Sequence, residues 1–142
     1  MSIANTAAVV GFGSIVTATP AFATLAGIVE NFAQNGNAYA AAAVSVAAIA
    51  GISGSASGGL GIAVPIVADI FLPMGINAEA LHRIAVISSS ALDSLPHNGF
   101  VNTCLQYTHT NHKEAYLDIF VVSVVVTIVE TVLVIALFSV MG

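Results

Sequence analysis

The sequence predicts an all-α integral membrane protein with broken transmembrane helices and a re-entrant hairpin. Three observations carry that reading. Mean hydropathy is +1.00, and 58% of residues are hydrophobic while only 6% are charged. A typical soluble domain carries about 25% charged residues and needs them to cover its outside. Residues 1–29 contain no charged side chain, and neither do residues 31–68. The third observation is a pair of polar, glycine- or proline-broken stretches, Ser53–Gly59 (SGSASGG) and Leu92–Gly99 (LDSLPHNG), set inside this apolar sequence. Hydrocarbon tolerates broken backbone and ionisable groups only where protein or a water-filled cavity surrounds them.

Taken in order, residues 6–29 are long enough for a span, which takes about 20 residues. Gly11, Gly13 and Pro20 interrupt it, and Pro20 removes a backbone donor. The TPAFA run before Thr24 resembles a signal-peptidase site, but no Lys or Arg precedes it, so the charged region of a leader is missing. The chain enters apolar sequence almost at once, which reads as a piece of a longer protein. Residues 30–37 form a polar, turn-rich loop. Residues 38–52 are alanine-rich, with side chains small enough for close helix packing. Three Gly and three Ser follow within Ser53–Gly59, and apolar sequence resumes at Leu60–Val67. The stretch from Ala38 to Leu72 is too long for one simple span. It predicts a discontinuous span, two half-helices joined by unwound backbone.

Residues 73–80 form the next loop, with Asn77 as N-cap and Glu79 to Arg83 as an i,i+4 pair. Residues 81–92 enter the membrane, LDSLPHNG turns, and 100–107 leave. Each arm is too short to cross, so 81–107 is either a hairpin or a second broken helix. Residues 108–117 are polar, and Asn111 with Glu114 has the spacing of a capping box. Residues 119–141 form the clearest span, with Glu130 at its midpoint. Arg83 and Lys113 are the only basic residues, too few to fix orientation by the positive-inside rule.

The net charge of −5 and the two basic residues argue against nucleic-acid binding. One cysteine, Cys104, excludes an intrachain disulfide. His109 and His112 lack a third ligand for a metal site, and they read, with His82, as solvated loop residues. Asp69 caps or snorkels at a span end. Neither a nucleophile elbow nor a phosphate-binding loop occurs, so no enzyme and no cofactor is expected.

The two breaks carry the chemistry. Ser53, Gly54, Ser55, Ser57, Gly58 and Gly59 are either a packing surface, since Gly54 and Gly58 form a GxxxG pattern, or a ligand site. In the second case unwound backbone N–H and C=O groups serve as ligands, with serine hydroxyls beside them, at the start of the helix near Leu60. Asp93 and His97 are either a structural pair or proton carriers, because a buried carboxyl or an imidazole can titrate near neutral pH. Asn98 is a hydrogen-bonding ligand or a turn residue. Glu130, an acid costing on the order of 2.5–3.5 kcal/mol at mid-membrane, either handles protons or faces another helix or subunit.

At NTAAVVGFGSIV (5–16), AGISGSASGGLGIA (50–63), GINAEALHRIA (75–85), LDSLPHNG (92–99) and HKEAYLDIFVV (112–122) the chain resembles the gluconate permease (gluconate:proton symporter) family. The resemblance covers almost the whole chain but only about the last third of such a permease. It implies a fragment of an ion-transporter-type fold in the bacterial cytoplasmic membrane, importing small hydroxy-carboxylates with protons. It further implies that Ser53–Gly59 lie near substrate, with Asp93, His97 and Asn98 opposite. Ser90 and Ala91 stand where the family has two glycines, and Glu130 where it has an apolar residue. The expected partners are a small organic anion, protons, the bilayer, and either missing N-terminal spans or further copies of the chain. The alternative is a truncated, non-transporting membrane protein or oligomeric scaffold.

Overall fold

A computed structural model of the protein describes residues 36–141 together with positions 11, 15, 18–20, 24, 27 and 31. The span expected over 6–29, as a continuous element, lies outside the described residues. All regular structure among the described residues is helical: α1 (Ala38–Ser53), α2 (Ala56–Phe71), α3 (Ala78–Ser89), α4 (Gly99–Tyr107), α5 (His112–Ile119), a π-helical stretch (Phe120–Val125) and α6 (Val126–Met141). The helices start where local chemistry says they should. Asn37, Asn77 and Asn111 each accept two N–H groups of the following first turn. Asn111 and Glu114 form the expected capping box, and the helix therefore begins at His112, within the stretch 108–117 read as polar sequence before the span.

The discontinuous span expected over 38–72 is a helical hairpin. Only Gly54 and Ser55 interrupt the helices, so the unwound segment is two residues long rather than the seven of Ser53–Gly59. The turn is sharp because Gly54 adopts φ +61°, a left-handed conformation that costs glycine little. Its N–H closes onto the Ala50 and Gly51 carbonyls while Ser55 caps α2. The arms then fold back on each other. A Cβ on Gly59 would overlap the Ala50 Cα, so the two backbones touch there. From that contact a four-residue spacing of small residues runs outward on both arms, Ala50, Val46, Ala42 on α1 and Gly59, Ala63, Val67 on α2. All six are buried, and the seam ends at the fully buried ring of Phe71. Rows spaced by four residues let helices approach closely when the side chains are small. Leu81 and Ala85 of α3 close the same core.

Residues 90–98 are non-helical, and α3 and α4 do not pack along each other. The second break is a nine-residue non-helical segment between two short helices, and a re-entrant hairpin is not shown there. From His112 to Val140 the helix is continuous over 29 residues, about 43 Å at 1.5 Å per residue. It is the one helix among the described residues long and apolar enough to cross a membrane. Only 6% of its most apolar stretch is buried. A soluble protein does not leave such a run of Val, Ile and Leu in water, which supports a membrane protein. The Asn37 side-chain amide donates to Ser139 Oγ at 2.7 Å, and the Tyr39 and Phe138 rings lie 6.3 Å apart. The long helix therefore returns to the open end of the hairpin.

Gly59→Ala is expected to cost about 1–3 kcal/mol of stability, the usual range for overpacking a tight contact. Gly99→Ala is expected to cost nothing, since a Cβ there meets no atom within 4 Å. Thermal unfolding of both variants in detergent checks the pair.

Candidate functional site

The two breaks predicted from sequence meet in space. Leu92 lies over Gly51, where a Cβ would come within 2.9 Å of the Leu92 Cβ. His97 and Asn98 then reach the hairpin turn. His97 Nε2 stands 2.8 Å from the Gly51 carbonyl oxygen. A carbonyl only accepts, so Nε2 carries the proton, and in the neutral ring Nδ1 is left as an acceptor. The Asn98 amide donates to the Gly54 carbonyl and to the Asp93 carbonyl, both at 2.7 Å. Its Oδ1 accepts from Val101 N–H at 2.9 Å and so starts α4. One buried side chain thus caps a helix, closes its own loop and ties that loop to the hairpin.

Other side chains hold the loop from outside. Asn102, one turn into α4, donates to the Pro96 and Asn98 carbonyls. His112 Nε2 lies 3.1 Å from the Pro96 carbonyl oxygen, and Tyr116 Oη donates to the Ser94 carbonyl at 3.3 Å. Sequence reasoning missed these contacts. His112 is exposed, in keeping with a solvated residue, and is in addition tied to the loop, four residues before Tyr116 on one helix face.

Each expected site residue has a definite place. Ser53 Oγ donates to the Ala50 and Ser55 carbonyls. Ser55 Oγ accepts from Gly58 N–H at 3.2 Å and lies 3.4 Å from Ser57 Oγ. Gly54 faces the His97 ring, where a Cβ would be 3.2 Å from Cδ2. Gly59 does not face the site. It is buried in the hairpin seam because only a hydrogen fits against Ala50. Asp93 and His97 do not pair with each other. The Asp93 carboxylate accepts from Ser94 Oγ at 2.8 Å, and His97 is spent on Gly51. Glu130 sits apart, on an exposed face of α6, with no hydrogen bond or ion pair among the described residues.

The arrangement offers two helix N-termini beside the joined breaks. In α2, Gly58 and Gly59 N–H are taken by Ser55, while no described bond uses Ala56 or Ser57 N–H. In α4, Val101 and Asn102 N–H are taken by Asn98, while Gly99 and Phe100 N–H are unused. Free N–H groups and aligned peptide dipoles at a helix start favour an anion. No group of three or more His, Cys, Asp or Glu able to hold a metal occurs among the described residues.

The chain is 40% identical over 146 residues to the uncharacterized transporter YxjC of Bacillus subtilis (strain 168). The alignment takes in 97% of this chain but 29% of that protein, so the chain spans less than a third of the relative's length. No family model matches the sequence, and no solved structure matches it. The similarity supports a transporter.

Asn98→Ala removes a cap and leaves two carbonyls without a donor. It is expected to lower stability by about 2–4 kcal/mol, from roughly 1 for the cap and 1–3 for the unmet groups. Asn98→Asp keeps the capping oxygen and loses only the donors, so it should show faster hydrogen exchange at residues 93–98 while α4 stays protected.

Proposed function

We propose that this chain is the C-terminal part of a proton-coupled secondary transporter that imports a small organic anion, gluconate or a related hydroxy-carboxylate, into the bacterial cytoplasm. The observation that carries the proposal is the meeting of two helix breaks, with unused N–H groups on two helix starts and with Asp93 and His97 on the same loop. Hairpin arms of 16 residues, about 24 Å long, end inside a hydrocarbon core of about 30 Å if they enter from one face. The turn then lies at depth, where transporter sites are built from interrupted helices.

The chemistry follows from the groups present. A substrate carboxylate takes Ala56 and Ser57 N–H or Gly99 and Phe100 N–H. The hydroxyls of Ser53 and Ser57, both exposed, suit a polyol tail. Among the described residues no ion pair involves the site, and the one ion pair, Glu79–Arg83, belongs to the start of α3. Backbone donors without a lysine or arginine hold an anion firmly enough to select it and loosely enough to release it. Asp93 provides the coupling. Protonated, it removes a negative charge from the site as the substrate brings one, so proton and anion enter together. His97 Nδ1 is the second acceptor for that proton. Glu130 serves in the same role only if a neighbouring helix or chain brings a partner to it.

The runner-up reading is a non-transporting membrane scaffold. Uptake of labelled gluconate into proteoliposomes containing this chain, alone and together with the remainder of a full-length permease, separates the two. In any active assembly, Asp93→Asn or His97→Ala is expected to reduce uptake driven by an inward proton gradient by at least about tenfold, matching loss of one hydrogen bond to a charged group. Membrane insertion should be unchanged. Full uptake in both variants removes Asp93 and His97 from the mechanism.

A further inference from the structure

At the opposite end from the breaks, α3 and α6 leave a groove between them. It consists of two adjoining hollows of about 430 and 290 Å³ that share Arg83, Leu137 and Phe138. The second hollow is walled mostly by apolar side chains, Val86, Ile87 and Val134 among them, with His82 beside Arg83. Its mouth carries the Glu79–Arg83 pair, Oε1 to Nη2 at 2.5 Å, with both side chains largely exposed. Arg83 is one of only two basic residues in the chain. This end also holds the Asn37–Ser139 bond, the Asn77 cap and the turn 72–77. Ser139 lies in the last turn of the membrane-spanning helix, so this polar end stands at the membrane–water interface.

A mostly apolar surface groove beside an interfacial guanidinium has the form of a phospholipid site. Arg83 gives one nitrogen to Glu79, and its remaining N–H groups, without a partner among the described residues, suit phosphate oxygens. The Glu79 carboxylate decides the headgroup. It repels a lipid of net negative charge and accepts hydrogen bonds from a primary ammonium. The pair of opposite charges is complementary to a zwitterion of matching order. We infer that this groove binds phosphatidylethanolamine, with phosphate on Arg83, ammonium on Glu79 and the first methylenes of an acyl chain along Val86, Ile87 and Val134. The inference requires the chain to lie in a bilayer and does not require it to transport.

The test uses the purified chain in detergent, titrated with phosphatidylethanolamine, phosphatidylcholine or phosphatidylglycerol of identical acyl chains. Retained lipid is read by native mass spectrometry and thermal stability is followed in parallel. Phosphatidylethanolamine is expected to be retained at about tenfold lower concentration than the other two, the scale of one charge-assisted bond. Arg83→Gln should lose that retention, and Glu79→Gln should let phosphatidylglycerol bind as well as phosphatidylethanolamine. Val134→Trp should block all three while leaving the charged pair intact. Equal retention of the three lipids, a preference for phosphatidylglycerol, or unchanged binding in Arg83→Gln overturns the inference. Flotation with vesicles reads insertion separately, so an inserted but lipid-indifferent protein refutes the lipid site alone.

Discussion

Breaks in apolar helices free carbonyl groups, and hydrocarbon has no donor to give them. The rest of this structure depends on how those carbonyls are met. Those of Gly51, Gly54, Asp93, Ser94 and Pro96 each accept from a side chain: His97, Asn98, Tyr116, His112 or Asn102. Asn98 serves two of them from a buried position. Because the donors sit on the second break and its neighbours while two of the acceptors sit on the first, neither break is self-sufficient. Satisfying the backbone and assembling the site are the same event.

The same interaction explains the division of labour among the glycines. Gly59 and Gly51 are there for close approach, one to Ala50 and the other to Leu92. Gly54 supplies the left-handed residue that reverses the chain. A hairpin that is tight at its turn and widens toward Phe71 places two helix starts beside one loop and leaves their first N–H groups unspent. Five break carbonyls are thus met by side chains, while four first-turn N–H groups have no partner among the described residues. An excess of donors is what an anion needs, and it arises here without any basic side chain.

Much of this was legible in the sequence, for local reasons. Asn77, Asn111 and Glu114 announce helix starts through short-range capping chemistry, and the structure uses them that way. The positions of both breaks were readable from Gly, Ser and Pro inside apolar sequence. What the breaks join was not. A turn of Gly54 and Ser55 is compatible with a kinked span or a full reversal, and composition does not separate them. The small residues spaced by four on either side of the turn held that information, but through Gly59 rather than through the Gly54–Gly58 pattern. Of the two readings of Asp93 and His97, the structural pair is not formed, because a nearby backbone carbonyl takes the imidazole. Sequence proximity carries no knowledge of Gly51, 46 residues away.

The central claim is that the two breaks form one anion site. Accessibility of single cysteines to a membrane-impermeant thiol reagent tests it most directly, in the full assembly with Cys104→Ser. Ser57→Cys reports on the start of α2, Gly99→Cys on the start of α4, and Ser139→Cys on the far end. Ser57 is exposed and Gly99 has open space for a side chain. Gluconate or another member of a panel of small hydroxy-carboxylates should slow labelling at Ser57→Cys and Gly99→Cys together, at one common concentration, and leave Ser139→Cys unaffected. Protection of one break without the other, or of neither by any member of the panel, would contradict the account.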